Sequence, residues 1–143
     1  MNLPAAYWDS SALIPLCVAQ PQTAEARLLY DRFGIVTWWA TQVEILSGLT
    51  RLRRMGQISE GDLHKAKQFA DALMDRWLSA GSQRIAIDAC SLLELYPLRA
   101  AHALQLATAL EACEHRPKGY VFISADQRLG DAAHKSGFSV ELI

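Results

Sequence analysis

Three carboxylates stand where chemistry can be built. Asp9 ends the short apolar run Ala5-Ala6-Tyr7-Trp8, and Asp126 follows a second apolar run almost directly. Glu44 is flanked by Val43, Ile45 and Leu46, a setting where a carboxylate is costly unless it is paired or bound to a cation. Three carboxylates brought to one place repel each other unless a cation holds them. Hard oxygen ligands in that arrangement suit Mg²⁺ or Mn²⁺. Such ions generate hydroxide from water and stabilise in-line phosphoryl displacement, so the chemistry expected is hydrolysis of a phosphodiester. Taken singly, each acid also has a plainer reading. Asp9 and Asp126 could each cap a helix, and Glu44 could be a first-turn residue favoured by the helix dipole.

These acids can meet only if strands and helices alternate along the chain. Residues 5–8 read as a buried strand, with Ser10 and Ser11 capping a helix over 12–18. A helix over 24–33 ends at Gly34, and residues 35–39 read as a β-branched and aromatic strand. Val43, Leu46, Leu49 and Leu52 recur at helical spacing, with a stop near Gly56. A helix opened by Ser59 runs through Leu63, Phe69, Leu73 and Trp77 to a break at Gly81. Residues 84–87 read as a strand, after which Asp88 caps a helix over 89–95. A nearly all-apolar helix spans 98–113. A strand at 120–124, a helix at 127–135 and a strand at 138–142 complete the pattern. Alternation of this kind predicts a three-layer α/β/α fold with a mainly parallel central sheet, in one domain over 1–143. In open α/β sheets ligands bind beyond the carboxyl ends of the strands, which singles out Asp9, Glu44 and Asp126 among the fifteen acids.

Composition narrows the function classes. At 143 residues, 51% hydrophobic and 20% charged, the chain is neither disordered nor collagen-like. Fourteen Lys and Arg nearly cancel fifteen Asp and Glu, leaving a net charge of −1, so any nucleic-acid contact needs a local basic patch. Arg51, Arg53 and Arg54 offer one, or else a solvated helix end that the dipole favours. Cys17, Cys90 and Cys113 show no CxxC spacing and read as small core residues of a protein in a reducing, cytoplasmic setting. The longest strongly apolar run, 13–19, has seven residues, so neither a signal peptide nor a membrane span is expected. Trp8 and Trp77 read as core. Trp38 and Trp39 read as strand and core packing before base stacking. His64, His115 and His134 share no metal-ligand spacing. No GxGxxG, P-loop or GxSxG pattern occurs.

Tyr7-Trp8-Asp9-Ser10-Ser11-Ala12-Leu13 resembles the opening of PIN-domain proteins, in particular the VapC-type toxins of bacterial toxin–antitoxin pairs. Glu44 in Val43-Glu44-Ile45-Leu46-Ser47-Gly48-Leu49 is similar to the second acid of that pattern. The segment 98–107 resembles the helix carrying the third acid, and 122–129 the segment carrying the fourth. The ordered set spans nearly the whole chain. This resemblance implies a PIN-like, metal-dependent endoribonuclease in which Asp9, Glu44 and Asp126 ligate Mg²⁺ or Mn²⁺. Ser11 would lend polar support, and Arg99 and Arg128 would stand beside the site to meet RNA. A homodimer neutralised by a small antitoxin would also be expected.

The chain departs from the pattern at one position. Where the family has an aspartate in the 98–107 helix, this sequence has His102. Arg99, His102 and Gln105, spaced i, i+3 and i+6, form one polar stripe on an otherwise apolar helix. His102 could be an ordinary structural histidine. As a neutral imidazole it would remove one negative charge and offer nitrogen, weakening Mg²⁺ more than Mn²⁺ or a later metal. Protonated, it would be a fixed cation among carboxylates. The expectation is thus an endoribonuclease with an altered third metal position. The alternative is a PIN-like protein that binds antitoxin or RNA without cleaving.

Overall fold

The computed structural model describes residues 2–74 and 83–143. Four parallel strands form one sheet in the order β2-β1-β3-β4, with β1 at Ala5–Trp8, β2 at Gly34–Val36, β3 at Val121–Ser124 and β4 at Ser139–Leu142. Helices α1 (Ser10–Cys17), α2 (Thr23–Arg32), α3 (Trp39–Arg54) and α4 (Glu60–Met74) follow β1 and β2. Helices α5 (Gln83–Leu95), α6 (Ala100–Ala112) and α7 (Gln127–Ser136) complete the described elements. The side-chain period of a strand explains the layering. Ala6, Trp8 and Ile123 face a core with Leu13, Leu29, Ile45, Leu49 and Leu63. Tyr7 and Phe122 face the opposite core with Ile85, Leu92, Leu106 and Leu129. The sheet is therefore covered on both sides, as expected of a three-layer α/β/α domain. Trp8 and Phe122 are fully buried, and truncating either to Ala would cost about 3–5 kcal/mol.

Several local expectations need correction. Residues 84–87 are not a strand; they open α5, whose buried Ile85, Ala89 and Leu92 recur at helical spacing. The β-branched Ile85 and Ile87 imitate a strand over four residues, but Ile87 is exposed. A short apolar run cannot by itself separate the two periods. Asp88 accordingly caps nothing. It lies inside α5, with one oxygen 3.7 Å from Arg84 Nε and 3.6 Å from His115 Nε2. The second strand stops at Val36; Trp38 stands at the N-cap of α3 and Trp39 is its first residue. Trp38 is buried, whereas Trp39 is 61% exposed and so is not core. Cys90 is also exposed, unlike Cys113. Ser10 and Ser11 lie inside α1 and do not cap it from outside. The expectations for Trp77 and Gly81 lie outside the described residues.

Helix α7, which follows Asp126, is closed by Gly137 in the left-handed region at φ 114°. The next residue returns Phe138 N–H to Ala133 O at 3.1 Å, a backbone closure in which glycine carries no Cβ penalty.

Candidate metal and nucleic-acid site

β1 and β3 are adjacent and parallel, so Asp9 and Asp126, which follow them, emerge at the same edge of the sheet. Glu44 arrives there from the second turn of α3. Asp9 is fully buried, and three hydroxyls converge on it. Ser124 Oγ donates to Oδ2 at 3.0 Å, Ser11 Oγ donates to the same oxygen, and Ser10 Oγ donates to Oδ1 at 3.4 Å. Burial pushes the Asp9 carboxyl above the usual carboxylate range, opposed by the Ser11 and Ser124 bonds and by His102. Ser10 Oγ is also 3.1 Å from Glu44 Oε2, so one hydroxyl bridges the two acids. Glu44 Oε1 accepts from Gln105 Nε2 at 2.6 Å. Burial likewise raises the Glu44 carboxyl; the Gln105 bond opposes this, and the nearby charge of Asp9 adds to it. Among the described residues, neither Asp9 nor Glu44 is ion-paired with Lys or Arg.

Asp126 stands apart from this pair in its contacts. Its Oδ1 accepts the Leu129 N–H at 2.8 Å, capping α7, and lies 3.8 Å from His102 Nδ1. The capping reading of Asp126 is therefore realised, whereas Asp9 occupies a cap position without a side-chain cap bond. His102 and Asp126 line a polar groove of about 480 Å³ with Pro97, Arg99, Gln127 and Arg128. Two arginines thus border the position where an acid was expected. Arg53 is instead engaged with Glu60.

The donor set can be tested against a hard cation. Among the described residues, no three His, Cys, Asp or Glu side chains converge as a ready-made metal site. The Asp9–Glu44 pair alone still fits Mg²⁺ or Mn²⁺. Mg²⁺ commonly takes one or two carboxylates and completes its shell with water and substrate phosphate. Two carboxylates made costly by burial and, among the described residues, bonded to no cationic side chain are the partners such an ion needs.

Sequence reasoning missed Ser10, Ser124 and Gln105 as site residues. Ser124 ends β3, two residues before Asp126, and that place at a strand end was the available signal. Its Oγ accepts the Asp126 N–H at 3.0 Å while donating to Asp9. Gln105 lay in the recognised polar stripe, but nothing in the spacing assigned it a partner.

No protein-family model and no curated protein matches the chain. Solved structures do match. A crystal structure of PAE2754 from Pyrobaculum aerophilum is similar with a TM-score of 0.63 at 17% identity, over 98% of this chain and 92% of that one. A toxin–antitoxin complex from Klebsiella pneumoniae is similar with a TM-score of 0.57 at 21% identity, over 87% of this chain and 88% of that one. At these identities the likeness concerns the fold.

Proposed function

We propose that the chain is a metal-dependent endoribonuclease of the PIN, VapC-like type and acts as the toxin of a toxin–antitoxin pair. The observation that carries this reading is the Asp9–Glu44 pair, two carboxylates bridged by Ser10 and, among the described residues, bonded to no cationic side chain, at the carboxyl edge of a parallel sheet. When bound there, Mg²⁺ or Mn²⁺ would supply the positive charge for hydrolysis of an RNA phosphodiester. Asp9 and Glu44 would hold the ion, and Asp126 would reach it through water. Ser11 and Ser124 keep one Asp9 oxygen fixed, which leaves less freedom to lose on binding. Arg99 and Arg128 supply sequence-independent attraction for phosphates along the groove.

The fold likeness to a toxin–antitoxin complex supports the pairing with a small antitoxin, and an RNA target implies action in the cytoplasm. Among the described residues no helix is long and apolar enough to cross a membrane. Trp39, Val43 and Leu46, exposed along one face of α3 at i, i+4 and i+7, support a homodimer. The test is RNA cleavage with Mg²⁺ and with Mn²⁺ by wild type and Asp9→Asn. Cleavage that requires metal and is lost in Asp9→Asn supports the nuclease. A second reading, binding of antitoxin or RNA without cleavage, draws on the His102–Asp126 contact, which places an imidazole where another acid would strengthen the ion site. Tight partner binding with no cleavage under either metal would favour it.

A further inference from the structure

Gln105 is fully buried, and every polar hydrogen and one acceptor of its amide is used. Tyr7 Oη donates to Oε1 at 2.6 Å. Nε2 donates to Glu44 Oε1 at 2.6 Å and to Thr41 Oγ1 at 3.0 Å. Only the nitrogen end of an amide can donate to a carboxylate, which fixes the orientation. The hydroxyls beyond it then have one consistent order. Thr37 Oγ1 donates to the Trp8 carbonyl at 3.1 Å, so Thr41, 2.6 Å from Thr37, donates to Thr37. The chain of donors ends on a main-chain oxygen and cannot reverse. Turning the amide over would set its oxygen against the Glu44 carboxylate.

Two features make this more than a satisfied core glutamine. Thr41 and Glu44 are one turn apart on α3, so a single amide grips that helix at two points. Tyr7, two residues before Asp9 on β1, fixes the amide from the other side. With Oε1 of Glu44 occupied, Oε2 is the oxygen left beside Ser10 and Asp9.

We propose that Gln105, locked by the Tyr7 hydroxyl, is a positioning residue that presents Glu44 Oε2 toward Asp9 for cation binding. The proposal rests on the reading of Asp9 and Glu44 as the ion site. Its test uses the whole chain without RNA, measuring the Mn²⁺ dissociation constant and the Gln105 side-chain amide resonances by NMR. In wild type the two amide protons should be separately resolved and slow to exchange with water. Tyr7→Phe should speed their exchange and weaken Mn²⁺ severalfold, and Gln105→Met should weaken it about ten-fold, the scale for loss of a group that orients a metal ligand. Gly137→Ala, which destabilises the fold away from the site, should leave Mn²⁺ affinity unchanged. Wild type with no saturable Mn²⁺ binding would overturn the ion site and the proposal together. Saturable wild-type binding with unchanged affinity in Tyr7→Phe would overturn the positioning role alone. If Gln105→Met does not fold, Tyr7→Phe decides the affinity question, and fast exchange of the wild-type amide would also reject the proposal.

Discussion

Nδ1 of His102 lies 3.8 Å from Oδ1 of Asp126, the oxygen that already accepts the Leu129 N–H at 2.8 Å. Asp126 is thereby engaged on its helix and beside an imidazole, while Asp9 and Glu44 share Ser10 without either partner. The acids at this sheet edge thus form one linked pair and one outlying member.

His102→Asp should convert the outlying member into part of an ion site. Adding a carboxylate beside Asp126 should tighten Mg²⁺ about ten-fold, since charge count tunes affinity for hard cations. The same change should destabilise the metal-free protein through like-charge repulsion. Isothermal titration with Mg²⁺ is the measurement, with RNA cleavage as a second readout; unchanged affinity would remove His102 from the site.

Asp9→Asn should stabilise the metal-free protein at neutral pH while removing its response to Mn²⁺. Burial raises the Asp9 carboxyl, so its favourable contribution is present below the ordinary carboxylate pKa and is lost as pH rises through the raised folded value. The advantage of Asp9→Asn should therefore vanish toward pH 4 and grow with pH. It should be read as a larger gain in Tm for Asp9→Asn at pH 7.5 than at pH 5, each against wild type at the same pH. An advantage that shrinks as pH rises would contradict the assignment.

The three cysteines should separate by reactivity. Burial pushes the Cys17 thiol up to about 12 and also raises Cys113, whereas Cys90 is exposed. A chromogenic disulfide reagent at pH 8 should titrate one thiol quickly, and Cys90→Ser should abolish that phase. The other two should react much more slowly in the folded protein. Labelling of Cys17 as fast as that of Cys90 would contradict its partial burial and raised pKa.

Gly137→Ala should cost about 1–2 kcal/mol, because a side chain there is strained at φ 114° and its Cβ would lie 2.8 Å from Pro117 Cγ. Thermal denaturation reads this as a Tm several degrees lower. An unchanged Tm would mean that the closure of α7 relaxes freely.

The parts of this site that were legible in the sequence are those that punctuate it. Asp9 and Asp126 interrupt apolar runs, and a parallel sheet sends such residues to one edge. Glu44 showed itself as an acid among apolar neighbours. Ser124 offered only its place at a strand end and Gln105 only its place in the polar stripe, because a buried amide or hydroxyl takes a role only with the partner that satisfies it. Those partners lie 61 residues away for Gln105 with Glu44 and 115 away for Ser124 with Asp9. The false strand at 84–87 has the opposite origin: a local pattern was present, but Ile85 packs with Ala89 and Leu92 as a helix face.

The bond from Ser124 to Asp9 has a consequence during synthesis. Asp9 emerges from the ribosome 115 residues before Ser124. Its carboxylate cannot be held by that hydroxyl, or covered by β3, until that later strand has been made. The surroundings of Asp9 are therefore assembled long after the residue itself, and the early-made part of the chain alone cannot form them.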